Sequence, residues 1–120
     1  MRNMSFMLTT QPMYDRTKDV TRRIGWWNLK PGDVVMAVEK GMGLKKGEKV
    51  KRIYPIRILS VRVESIGRMI NPYKPEYGKE EVIREGFPKM SPREFVEIFC
   101  KSHKCKDNAQ VNRIEFEEVR

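Results

Sequence analysis

Residues 56–66, Ile-Arg-Ile-Leu-Ser-Val-Arg-Val-Glu-Ser-Ile, constrain the fold more than any other segment. The β-branched Ile56, Ile58, Val61, Val63 and Ile66 alternate with Arg57, Arg62 and Glu64. That two-residue period is the mark of a strand with one face in a core. The alternation loses phase at Leu59-Ser60, which predicts a bulge or a change of face. Further strands are expected at Ser5–Thr9, at the mostly apolar Val34–Glu39, and at Val111–Val119 with Ile114 and Phe116 at alternate positions.

Helical signals are fewer. Thr10–Thr17 holds one or two turns, with Pro12 early. Lys79–Glu85 forms a short helix with Val82 and Ile83 inward, stopped at Gly86. Ser91-Pro92-Arg93-Glu94 carries a capping serine, a proline at the first position and a glutamate at the third. Phe95, Ile98 and Phe99 then define one apolar face. Pro31-Gly32-Asp33 is a turn, Gly41–Gly47 a glycine-rich loop, and 71–78 a loop with two prolines. Strands dominate, so the expected fold is α+β: a small, curled, mostly antiparallel β-barrel with a few short helices.

The chain has 120 residues, and one domain over 1–120 is expected. No apolar stretch approaches the roughly 18 residues of a membrane span. The first eight residues are too short and interrupted for a signal peptide, so a cytoplasmic protein is expected. Lys and Arg number 25 against 16 acidic residues, a net charge of +9. Such an excess favours a polyanionic partner, most often nucleic acid. Cys100, His103 and Cys105 offer three zinc ligands where a structural site takes four, and there is no other histidine. Reduced thiols at a helix end are expected, with no metal and no cofactor.

The chemistry concentrates in Thr17-Lys18-Asp19-Val20-Thr21-Arg22-Arg23. On a helical turn, residues three apart share a face, which would bring Lys18 beside Thr21. A buried lysine flanked by cations loses basicity and can then act as a general base. Thr21 is the candidate nucleophile and Glu85 the candidate third group. Arg22 and Arg23 suit a phosphate, because a guanidinium binds two oxygens at once. Lys45, Lys46, Lys49, Lys51 and Arg52 form a basic loop between strands, and an aromatic such as Tyr73 can stack on a base. The same residues also read as a surface lysine, a capping threonine and solvated arginines. The loop at 41–47 matches neither glycine-rich phosphate fingerprint.

Read in order, Lys18–Arg23, Gly32-Asp33, the 56–66 strand, Arg84-Glu85-Gly86-Phe87, the 91–99 helix and Arg113-Ile114-Glu115-Phe116 resemble the ASCH (ASC-1 homology) domain of the PUA-like superfamily. The resemblance covers nearly the whole chain, and the compact form is similar to ASCH proteins of phages and prophages. It implies a curved barrel with a cleft beside the first helix, lined by the Lys-Thr-Arg segment. It also implies RNA, nucleotide or modified-nucleoside ligands. A small bacterial member of the superfamily removes acetyl from N4-acetylcytidine with a Lys, a Thr and a Glu. Lys18 and Thr21 match that Lys-x-x-Thr spacing, and Glu85 falls at the place of the Glu. Other members are ribonucleases or binding modules. This chain departs in its Arg-Arg after the threonine, its longer basic loop at 40–52 and an insertion around Pro72–Gly78. The expected function is RNA or nucleoside binding. The alternatives are the amidohydrolase, and a metal-independent ribonuclease using Lys18, Arg22 or Arg23 at phosphorus.

Overall fold

A computed structural model describes residues 1–41 and 43–120. The expected loop at 41–47 includes Met42, which lies outside the described residues. Strands β1 (Asn3–Ser5), β2 (Val20–Arg23), β3 (Val34–Val38), β4 (Arg52–Ser65) and β5 (Gln110–Glu118) form one sheet in the order β1-β3-β4-β5-β2. β1 runs parallel to β3; the other pairs are antiparallel. Helices α1 (Thr10–Tyr14), α2 (Pro75–Arg84) and α3 (Pro92–His103) complete the α+β fold, with 3-10 turns at Met7–Thr9 and Ile66–Ile70. Among the described residues no helix is long and apolar enough to cross a membrane.

The long strand extends four residues further back than its alternation indicates, and its register against β5 shifts between Ile58 and Ser60. Leu59 is the extra residue and points outward, as the phase break predicts. The expected first strand at Ser5–Thr9 is displaced: β1 is Asn3–Ser5 and overlaps it only at Ser5. Phe6 N–H still reaches Val38 O at 2.8 Å, after which the chain turns into the 3-10 segment with Met7 and Leu8 exposed. Ladder pairing ends at β1 and β2, so the sheet is open rather than a closed barrel. Its two edges nevertheless approach: Arg23 Nη2 on β2 donates to Ser5 O on β1 at 2.6 Å.

Two apolar clusters fill the fold. Met4, Phe6, Met13, Val35, Ile56, Ile58, Ile114 and Phe116 pack against the sheet. Ile66, Met69, Val82, Phe95, Val96, Phe99 and Val111 pack beneath α2 and α3. α3 begins with the expected reciprocal capping box between Ser91 and Glu94. Its buried stripe is Phe95, Val96 and Phe99, whereas Ile98 is exposed. In α2, Val82 is buried and Ile83 is exposed, because adjacent helical positions lie about 100° apart. Gly78 lets α2 rest on the 3-10 turn: a Cβ there would come within 1.9 Å of Met69 O.

Candidate functional site

The end of α2 builds the site. Gly86 follows the helix at φ +100°, the left-handed conformation that stops a helix without strain. A side chain there would collide with Pro12 of α1, at 2.8 Å from its Cβ, and touch Lys18. Its absence lets α1 and the segment before β2 close over the helix terminus. Asp19 N–H donates to Arg84 O at 3.0 Å, and Arg84 grips Asp19 through two bonds of 3.0 Å. Glu85 is thereby held beside residues 18–22.

Lys18 Nζ donates to Glu85 Oε1 and to the Glu85 main-chain oxygen, each at 2.8 Å. The ammonium thus satisfies a carbonyl that the helix end leaves unpaired, where the helix dipole favours a cation. The second carboxylate oxygen of Glu85 accepts from Arg22 Nη1 at 3.0 Å. Arg22 Nη2 meets Glu64 Oε2 at 3.3 Å and Tyr77 Oη at 3.1 Å, and also bonds Glu81. Glu81 in turn accepts from Arg113 Nε at 2.5 Å and Nη2 at 3.1 Å. All six charged residues are buried. Three cations face three carboxylates, so the cluster has no net charge. Arg22 Nε is the one buried side-chain polar atom without a partner among the described residues.

Burial lowers the basicity of Lys18. Glu85 opposes the shift, and Arg23 and Arg22 reinforce it. Burial likewise pushes Arg23 down to about 10. For Arg22 burial works against the charge, but Glu85 and Glu81 outweigh it and raise its pKa. Burial favours a neutral Glu81, yet Arg113 and Arg22 prevail and hold its carboxyl down at about 2.

These placements divide the expected residues. Lys18 and Glu85 meet, although 67 positions separate them. Thr21 is buried close in sequence, but its Oγ1 accepts from Arg23 Nε at 3.0 Å. Among the described hydrogen bonds none joins Thr21 to Lys18 or Glu85. The reason is backbone geometry. Residues 20–23 are a strand, not a helical turn, so spacing by three does not share a face. Arg22 joins Lys18 at Glu85, while Arg23 turns the other way, toward Ser5 and over the Phe6 ring at 4.8 Å. Arg22 has no exposed guanidinium surface and serves three carboxylates, not a solvent-borne anion.

Lys45, Lys46, Lys49, Lys51 and Arg52 are exposed at the β3–β4 connection, where Lys40 pairs with Glu48 at 3.7 Å. Tyr73 is 91% exposed beyond the opposite end of β4. The fourteen residues of β4 and the 3-10 turn lie between the two regions in the chain. Cys100 and Cys105 are free thiols near the end of α3, and His103 stacks on Phe99 at 4.0 Å. Glu64, Glu81 and Arg113 were not marked by the sequence reading. The available signal was the i, i+4, i+8 stripe of Tyr77, Glu81 and Glu85 on one face of α2.

No family model matches the chain, and no curated protein sequence matches it. Two solved structures are similar. The crystal structure of hypothetical protein PH0355 has a TM-score of 0.59 at 18% identity, covering 98% of this chain and 96% of that one. Protein EF3133 from Enterococcus faecalis V583, assigned to the DUF984 family model, has a TM-score of 0.53 at 13% identity, covering 91% and 65%. The likeness defines the class of fold, a small α+β domain on a mixed sheet.

Acid should report on the cluster. The depressed pKa of Glu81 contributes stability above its ordinary 4.5, and this is lost as pH falls from 4.5 through about 2. Resistance to urea should therefore fall as pH drops across that window. Glu81→Gln should be less stable at neutral pH by about 3–5 kcal/mol and flatter with pH below 4.5. An unchanged acid slope in the variant would contradict the assignment.

Proposed function

We propose that the chain is an ASCH-type, PUA-like domain that binds RNA or a modified nucleoside. The observation that carries this reading is where the charge lies. The buried cluster is neutral, so the excess of nine positive charges belongs entirely to the remaining residues. A surface of that sign attracts polyanions and releases their counterions on binding. By the ASCH resemblance, a base or nucleoside would be read at the polar segment Lys18–Arg23, beside the approach of β1 and β2. Binding of single-stranded RNA should weaken with salt, log K falling by about 0.7 per log unit for each phosphate neutralised. Salt-independent affinity, or none for any RNA, contradicts the proposal.

A second reading, an amidohydrolase acting on an N4-acylated cytidine, is favoured by one contact. Lys18 Nζ lies 2.8 Å from the Glu85 carboxylate in a buried setting that lowers its basicity. Thr21 Oγ1 would attack the acyl carbon while the deprotonated fraction of Lys18, enlarged by its lowered basicity, takes the hydroxyl proton. Glu85 would relay that proton to the departing amine, and water would then release the acyl group from Thr21. Arg23 must yield Thr21 Oγ1 for this to occur. Turnover of N4-acetylcytidine should fall by roughly 100-fold or more in Lys18→Ala. Absent turnover, or turnover indifferent to the substitution, removes this reading.

A further inference from the structure

Two grooves open on the molecule away from Lys18, Thr21 and Glu85. One, of about 620 Å³, runs along the 3-10 turn at 66–70 and the loop before α2. The other, of about 380 Å³, lies along α3. They adjoin at Ile70 and Asp107, which line both, and are taken together as one trough. Arg68 and Lys74 line the first part, Arg93 and Lys106 the second. Among the described ion pairs none involves these four cations. The carboxylates on the walls, Glu97 and Asp107, are also unpaired, leaving the trough at +2. Ile70 and Val96 give it apolar walls.

The rim carries the least protected aromatic of the chain. Tyr73 stands 91% exposed between Pro72 and Lys74, which both line the trough. Its backbone is fixed by Asn71, whose Oδ1 accepts from Tyr73 N at 2.9 Å. Tyr14, Tyr54 and Tyr77 each engage their hydroxyl within the protein, with Glu39, Met13 O and Glu64. The Tyr73 hydroxyl has no partner among the described residues. Arg68 is also positioned in advance, its guanidinium 5.0 Å above the Tyr77 ring, which the buried cluster anchors. Arg62 approaches the same ring from β4 at 5.7 Å.

We propose that this trough is a track for single-stranded RNA, separate from the Lys18–Arg23 segment, with phosphates on Arg68, Lys74, Arg93 and Lys106 and one base stacked on Tyr73. It deepens the RNA-binding reading and rests on it. An unpaired strand fits because its bases are free to stack, whereas a duplex hides their faces. The segment between the 3-10 turn and α2 supplies both Tyr73 and Lys74.

The test is fluorescence anisotropy with a labelled single-stranded RNA of mixed sequence, from low to moderate salt. Arg68→Ala/Lys74→Ala should make the slope of log K against log salt shallower by about 1.4, two phosphate contacts' worth. Tyr73→Ala should weaken binding roughly 5- to 150-fold with the slope unchanged. Lys30→Ala/Arg120→Ala, which removes equal charge elsewhere, should leave the slope near that of the parent. If the parent binds RNA but the trough variants behave like it, the track is wrong and the broader reading survives. If the parent binds no RNA, both fall. Binding of a labelled polyglutamate peptide in place of RNA, lost in the Arg68/Lys74 variant, would assign the trough to an acidic protein and overturn the proposal.

Discussion

The contact on which the rest depends is the buried meeting of Arg22 with Glu64, Glu81 and Glu85. A guanidinium with no exposed surface would be costly to bury alone, and so would three carboxylates. Together with Lys18 and Arg113 they cancel. Their hydrogen bonds tie β2, β4 and β5 to α2, so the helix is oriented on the sheet by directional bonds as well as by apolar packing. Removing one member would leave a buried charge uncompensated, which is far more damaging than replacing the whole cluster with apolar residues.

That cluster also sets what the surface and the helix terminus can do. It holds Glu85 by both oxygens and so fixes the partner of Lys18. Lys18 is drawn out of water by the closure of α1 and the 17–19 segment over Gly86, where no side chain intervenes. The lysine is thus both a helix cap and a group with lowered basicity. Because the cluster is neutral, the positive excess lies outside it. Tyr77 stands at the boundary. Its hydroxyl serves Glu64 inside, and its ring supports Arg62 and Arg68 outside.

Local signals in the sequence were legible because local physics decides them. The phase break at Leu59-Ser60 is the observed bulge, and Ser91 with Glu94 is the observed capping box. Glu85 was the expected third group beside Lys18, and the resemblance put it at the place of the family's Glu, but no local pattern joins the two residues. The helical spacing assumed for Lys18 and Thr21 was wrong because β5 captures residues 20–23 as a strand. The burial of Arg22 was not legible. A charged residue in a short strand reads as solvated, and only the fold brings Glu64, Glu81 and Glu85 to it from 42 to 63 positions away. Barrel closure likewise turns on whether two short edge strands reach each other, and here a single arginine side chain spans that approach.

The most direct test is an NMR titration of the lysine side chains, with Lys18 assigned through Lys18→Arg. Lys18, buried beside Glu85, should titrate below its ordinary 10.5, since burial outweighs the carboxylate. Titration of Lys18 at or above 10.5 would contradict the buried pair and, with it, the neutral cluster around Arg22.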